Sequence, residues 1–224
     1  MQHLAILGGT FNPVHWGHLL LAETALSQLA LDKILWVPTH CPPYKSQIEL
    51  LSFEQRSVMV EQAIASHPAF ALSTVEQRRS GSSYAIDTLN DLQQCHPASQ
   101  WYWIVGLDAF QSLPRWYHRR ELASHCQWLI APRVAPLPRT ADAQHQLTID
   151  LQQRCEQVVQ ALAQQAIPVQ WQILQMPLVE ISSSLVRQYC RDRRSIRYLV
   201  PDVVREYILA HQLYQTQEHS QINP

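Results

Sequence analysis

A chain of 224 residues, 46% hydrophobic and 16% charged, is long enough for one α/β core and short for two, and its composition excludes the disordered and fibrous classes. Seventeen lysines and arginines against 18 aspartates and glutamates leave a formal charge of −1, so no global field draws the chain to nucleic acid or to a membrane surface. No apolar run approaches the ~20 residues that span a bilayer and no signal-peptide pattern is visible; with five dispersed cysteines and no CxxC pair, neither a disulfide framework nor a structural zinc site is indicated, and a cytoplasmic protein is expected.

The first apolar run, His3 to Leu7, ends at Gly8-Gly9, and Leu19, Ala22, Leu26 and Leu29 then recur at helical spacing. This reads as strand, tight loop, helix. Lys33 to Val37 is a second buried strand closed by Pro38, and Thr39 to Leu51 is a loop carrying Pro42, Pro43 and Lys45. Ser52 is placed to cap a helix with Val58, Met59 and Ile64. Ala69 to Leu72 predicts a short strand, and a helix opens at Ser82 or Ser83 with Ile86, Leu89 and Leu92 facing inward. Trp101 to Val105 and Gln127 to Ala131 are further apolar strands, stopped by Gly106 and Pro132. Residues 133–148 read as irregular, and Leu151, Cys155, Val158 and Leu162 trace a helix stripe. Val169 to Leu174 predicts the last strand, followed by helices beginning near Ser182 and at Pro201, a favoured first-turn residue. The βα alternation is that of an α/β, doubly wound parallel sheet of Rossmann-like type, a single domain over 1–214 with a polar tail at 215–224. Such sheets bind ligands at the carboxyl ends of their strands, near a topological switch point.

The end of the first strand carries the chemistry. Gly8-Gly9-Thr10-Phe11-Asn12-Pro13-Val14-His15-Trp16-Gly17-His18 joins a glycine pair, where backbone can come close to a ligand, to a helix start with unpaired N–H groups. His15 and His18 lie three apart, so both rings can face one point beyond the strand. The run is a phosphate-site candidate. It is neither GxGxxG nor GxxxxGK[ST], so neither a dinucleotide fingerprint nor a P-loop is indicated.

This run resembles the (H/T)xGH signature of the nucleotidyltransferase superfamily, and GGTFNPVHWGH in particular is similar to the bacterial nicotinate-nucleotide adenylyltransferases. Four further segments share the resemblance in order and spacing: Pro42-Pro43-Tyr44-Lys45 resembles the family's PPHK, Ser83 to Leu89 its SYTIDTL, Ile104 to Ala109 its IxGxDA, and Glu180 to Arg187 its ISSTxIR. Tyr44, Ala85, Leu107 and Ser184 depart from those patterns. At positions 44 and 85 the family's side chains are gone and backbone contacts are what is left.

The resemblance implies a Rossmann-like nucleotidyltransferase fold and adenylyl transfer from ATP to nicotinate mononucleotide, giving nicotinate adenine dinucleotide and pyrophosphate in NAD synthesis. It assigns His15 and His18 to catalysis at the phosphates. Gly8, Gly9, Thr10, Phe11, Gly106, Asp108, Ser182, Ser183 and Arg187 would bind ATP. Asn12, Lys45, Tyr84, Ala85 and Trp116 would bind the acceptor. ATP enters as substrate with Mg²⁺ held mainly by phosphates and water, so no metal ligands of the protein are expected. The partners are small molecules, without nucleic acid or membrane; a homo-oligomer is left open. Within the superfamily, nicotinamide mononucleotide or another phosphate acceptor stays an alternative. A class I aminoacyl-tRNA synthetase fragment shares the HIGH-like element but would need a KMSKS-like partner that the sequence lacks.

Overall fold

The computed structural model describes residues 1–42, 50–132, 140–177 and 179–215. Six strands, β1 (Gln2–Gly9), β2 (Lys33–Pro38), β3 (Phe70–Leu72), β4 (Ser99–Gly106), β5 (Cys126–Ala131) and β6 (Gln170–Ile173), form one sheet in the order β3-β2-β1-β4-β5-β6. Every pairing is parallel. The order reverses between β1 and β4, the switch point at which a doubly wound sheet opens a crevice.

Both faces of the sheet are covered, which is why β1, β2, β4 and β5 carry continuous buried apolar runs, while the edge strand β6, Gln-Trp-Gln-Ile, alternates. Leu4 and Ile6 face one core with Trp101, Trp103 and Trp128, while Ala5 and Leu7 face the other with Trp36. The first core is closed by α3 (Ala85–Cys95), α4 (Leu107–Ser112), α5 (Arg119–His125) and α6 (Ala141–Ala163). The second is closed by α1 (Trp16–Gln28), α2 (Phe53–Ile64), α7 (Ser183–Arg191) and α8 (Asp202–Ala210). Caps fall where hydroxyls are available: Ser52 Oγ accepts from Gln55 N–H and Ser182 Oγ from Leu185 N–H, each satisfying an orphan donor of a first turn.

Several boundaries differ from expectation. The third helix begins after Tyr84, not at Ser82 or Ser83, because Ser83 is committed elsewhere: its N–H donates to the Cys41 carbonyl and its hydroxyl accepts from Cys41 N–H. Residues 141–148, read as irregular, are the first turns of α6. Alanine and glutamine favour helix there, while Asp142, Gln146 and Thr148 are exposed and leave no apolar stripe to read. Pro201 caps α8 instead of occupying its first turn. Between β4 and β5 the chain adds α4, a 3₁₀ turn (Leu113–Arg115) and α5, each too short for a period to emerge from the sequence. All five cysteines are thiols, with Cys126 and Cys155 buried and Cys95 exposed. No helix among the described residues is long and apolar enough to cross a membrane.

Candidate active site

The signature lies in front of the switch point. β1 runs through Gly8 and Gly9, which pair with Val37 and Pro38 of β2, and on its other side Leu7 pairs with Ile104 near the end of β4. A Cβ at Gly106 would meet no atom of the described residues within 4 Å, and one at Gly8 would touch only Trp103 at 3.9 Å. The space before the two central strands is therefore open.

Beyond β1 the chain turns sharply. Phe11 has φ +45, a left-handed conformation that costs a bulky residue on the order of 1–3 kcal/mol and persists only where its surroundings enforce it. Its ring is 1% exposed and packs 5.5 Å from Trp36 and 5.0 Å from His18, edge-on. The Asn12-Pro13 peptide that follows is cis.

His15 is the N-cap of α1. Its N–H donates to His18 Nδ1 at 3.2 Å, and the two imidazoles stack with centroids 3.7 Å apart. An accepting Nδ1 carries no proton, so the proton of the neutral His18 ring sits on Nε2, which becomes a donor on the opposite edge. The two rings are therefore side by side at the start of α1. Gly17 makes the stack fit: a Cβ there would stand 3.0 Å from His15 Nδ1 and 3.5 Å from the Ile181 carbonyl.

The C-terminal motif reaches the same loop. Ser182 caps α7, Ser183 Oγ donates to the Pro13 carbonyl at 2.8 Å, and Arg187 donates from one terminal nitrogen to the Asn12 carbonyl at 2.9 Å. Ser182, Ser183 and Arg187 are thus gathered with His15 and His18, with one terminal nitrogen of Arg187 bracing the loop backbone. Asn12 is likewise turned inward: it is 5% exposed, and its Oδ1 accepts from Tyr214 Oη at 2.7 Å and from Leu51 N–H at 3.4 Å. Thr10 is held from behind by Arg56, whose terminal nitrogen donates to its carbonyl at 2.7 Å.

On the β4 side, Gly106 caps α4 and Asp108 lies exposed in that helix's first turn, one residue pair beyond the strand. The acceptor half is assembled by contacts that sequence alone does not reveal. Tyr84 is the N-cap of α3 and offers its first turn no side-chain oxygen. The Ser83–Cys41 pair ties that helix start to the segment leaving β2. Buried Glu76 accepts from His40 N–H at 3.0 Å and from Thr88 Oγ at 2.8 Å, locking the same two segments together. Tyr84 meets Tyr117 with ring centroids 4.7 Å apart, so Tyr84 and Ala85 lie beside the turn that carries Trp116. Trp116 itself is half-buried, donating its indole N–H to Ser112 Oγ at 2.8 Å with its ring edge-on to Trp128. Lys45 and the neighbouring Pro43 and Tyr44 lie outside the described residues, as do 133–139 and the tail from 216.

Sequence reading missed Arg56, Glu76 and Tyr214 as builders of this site; Gly17 and Ser83 were read as parts of motifs, without the contacts they make here. Arg56 did leave a signal. It interrupts the apolar stripe of α2 between Phe53 and Met59-Val60, all buried, and is itself 1% exposed. Burial pulls its pKa below the ordinary arginine value, with Tyr214, Glu54 and Glu76 opposing that shift. Among the described residues no group of three or more His, Cys, Asp or Glu side chains stands close enough to hold a metal ion.

The chain matches the cytidylyltransferase-like family over residues 6–189. It is 52% identical over 214 residues to a Nostoc protein named as a probable nicotinate-nucleotide adenylyltransferase, covering 96% of this chain and 98% of that one. A Synechococcus protein of the same name is 48% identical over 216 residues, with 96% and 98% covered. In fold it superposes on the nicotinic acid mononucleotide adenylyltransferase of Plasmodium falciparum, solved in complex with NaAD, with a TM-score of 0.71 at 19% identity, covering 96% of this chain and 98% of that one. A parallel sheet in the 3-2-1-4-5-6 order, a stacked HxGH pair at its switch point and a half-identical relative of full length make this chain a member of the nicotinate-nucleotide adenylyltransferase family.

Proposed function

We propose that this protein transfers the adenylyl group of ATP to nicotinate mononucleotide, releasing pyrophosphate and forming nicotinate adenine dinucleotide for NAD synthesis. The observation that carries this reading is the His15–His18 pair in front of β1 and β4. In the reaction an oxygen of the acceptor's 5′-phosphate bonds to the α-phosphorus of ATP as the bond to the pyrophosphate oxygen breaks. Both partners arrive as reactive as they need to be, so the protein's task is to bring two anions together and to stabilise charge on the transferring phosphate.

His18 Nε2–H supplies a donor fixed in direction by the His15 N–H on the other edge of the ring. Gly8 and Gly9 keep side chains out of the path of the phosphates, and α1 presents its N-terminal dipole to them. Asp108, exposed beside β4, is suited to accept from ribose hydroxyls. Ser182, Ser183 and Arg187 at the start of α7 suit the leaving pyrophosphate. Tyr84, Ala85 and Trp116, together with Lys45, make the acceptor side. A magnesium ion fits as the companion of the triphosphate. The signature offers imidazoles and a guanidinium, not carboxylates, so the ion's hard oxygen ligands would be phosphates and water. A cytoplasmic location and a single domain over 1–214 accord with this role.

Incubation of the purified chain with ATP, Mg²⁺ and nicotinate mononucleotide is expected to yield pyrophosphate and nicotinate adenine dinucleotide in equal amounts. His18→Ala should lower kcat by about 10²–10³, the usual effect of removing a donor aimed at transition-state charge. Absence of the dinucleotide, or activity of His18→Ala within about twofold of the parent, would overturn the assignment.

A further inference from the structure

Two side chains that the signature motifs do not include hold the loop after β1 from its buried side. Arg56 is 1% exposed and donates two hydrogen bonds to main-chain carbonyls, from a terminal nitrogen to Thr10 at 2.7 Å and from Nε to Leu51 at 3.0 Å. Tyr214, in the turn that follows α8, donates to Asn12 Oδ1 at 2.7 Å, and the same oxygen accepts from Leu51 N–H. A buried guanidinium is costly, and an apolar side chain of similar volume often serves a core at least as well. The neighbours of Arg56 on α2, namely Phe53, Met59, Val60 and Ile64, are such residues. The two hydrogen bonds therefore call for an explanation in what they hold.

What they hold is the peptide between Thr10 and Phe11. Among the described residues the only cis peptide is Asn12-Pro13, so the Thr10-Phe11 peptide is trans, and its C=O and N–H point in opposite directions. Drawing the Thr10 carbonyl onto Arg56 aims the Phe11 N–H away from α2, out of the core. Phe11, with φ +45, would leave this conformation if the carbonyl were released. Tyr214 fixes the next residue, Asn12, whose backbone carbonyl is gripped by Arg187.

We propose that Arg56 and Tyr214 are positioning residues of adenylyl transfer: by clamping Thr10 and Asn12 from behind, they present the Phe11 N–H as a backbone donor to a phosphate oxygen of the nucleoside triphosphate. This rests on the reading of the site as an ATP site. Neither residue is placed to touch substrate. A preorganised donor acts on charge that develops in the transition state, so its loss belongs in kcat more than in the KM of either substrate.

The test compares Arg56→Lys, which keeps the charge but loses the fork that spans two carbonyls, with Tyr214→Phe, which removes one oxygen. Each is expected to lower kcat about tenfold or more, with the KM for nicotinate mononucleotide within about twofold of the parent. In ¹⁵N–¹H spectra the Phe11 amide of the parent should shift on addition of ATP, and this response should shrink in both variants. Variants that are only less heat-stable, with kcat within twofold at 25 °C and an unaltered Phe11 response, would overturn the proposal. So would a parent whose Phe11 amide ignores ATP. Should Arg56→Lys fail to fold, Tyr214→Phe decides the matter alone. A parent that makes no dinucleotide from nicotinate mononucleotide would refute the assigned acceptor, while the ATP response of Phe11 in parent and variants would still decide the role of the clamp.

Discussion

Gly17 shows how a residue without a side chain serves catalysis. It stands between the two histidines in the first turn of α1, where alanine would ordinarily stabilise a helix by about 1 kcal/mol. The added methyl would instead approach His15 Nδ1 to 3.0 Å and Cε1 to 3.1 Å, closer than carbon atoms comfortably pack, and the Ile181 carbonyl behind it is backbone that yields less readily than a ring. The imidazole gives way first and the stack on His18 is lost. Gly17→Ala is therefore expected to lower kcat at least tenfold while the melting temperature stays level or rises. Kinetics and thermal melts of the same preparation check this, and a fully active Gly17→Ala variant would mean that the His15 ring position is not critical.

At the scale of elements, three helix starts converge on the crevice, and each is capped differently. α1 is capped by His15 and α7 by the Ser182 hydroxyl, whereas α3 begins at Tyr84 with no side chain of the described residues accepting from its first turn. Its leading N–H groups are therefore available to a ligand anion. A carboxylate on the pyridine ring gains about 0.3–1 kcal/mol at an exposed helix N-terminus and up to ~2 kcal/mol when partly buried. A carboxamide would turn donors toward those donors or leave them unpaired, at about 1–3 kcal/mol. The two effects together predict at least a tenfold preference in kcat/KM for nicotinate over nicotinamide mononucleotide, since ~1.4 kcal/mol is one decade. Parallel assays at one ATP and Mg²⁺ concentration measure it, and equal values would show that the start of α3 does not read the ring substituent. Ala85 contributes no hydroxyl, so the discrimination is left to the backbone.

Across the whole molecule, the two cores that flank the sheet make stability sensitive to alkali. Burial raises the Cys155 thiol from its ordinary value of 9.0 to about 11 and raises Cys126 further, and it also pushes the Tyr214 phenol up. In the unfolded chain these thiols ionise from about pH 9, while the folded state keeps their protons. The native state thus binds more protons than the unfolded state over this range, and the unfolding free energy falls as pH rises. The stabilisation is fully present below pH 9 and is lost above it, at about 1.4 kcal/mol per pH unit for each such thiol. Urea midpoints measured from pH 8 to 11 should decline steadily, with a shallower slope for Cys155→Ala. A flat profile for the parent would show that the thiols are not the groups that matter.

Sequence was sufficient for whatever depends on neighbours along the chain. Local patterns marked the six strands of the described residues, the alternation with helices implied a parallel sheet, and the three-residue spacing of His15 and His18 put the two rings side by side, because helix and strand periods are local geometry. Ser52 was legible as a cap and Ser182 as the neighbourhood of a helix start for the same reason. The start of α3 was not, since Ser83 is taken by Cys41, 42 positions away. Nor were the inward orientation of Asn12, the clamp of Arg56 on Thr10 and the reach of Tyr214 across 202 positions to Asn12. Those contacts exist only because α2 and the C-terminal turn pack against the sheet beside β1, and no local pattern encodes which distant side chain a buried carbonyl will meet. The sequence determined which residues could do phosphate chemistry; packing decided which of them face the crevice and which hold the others still.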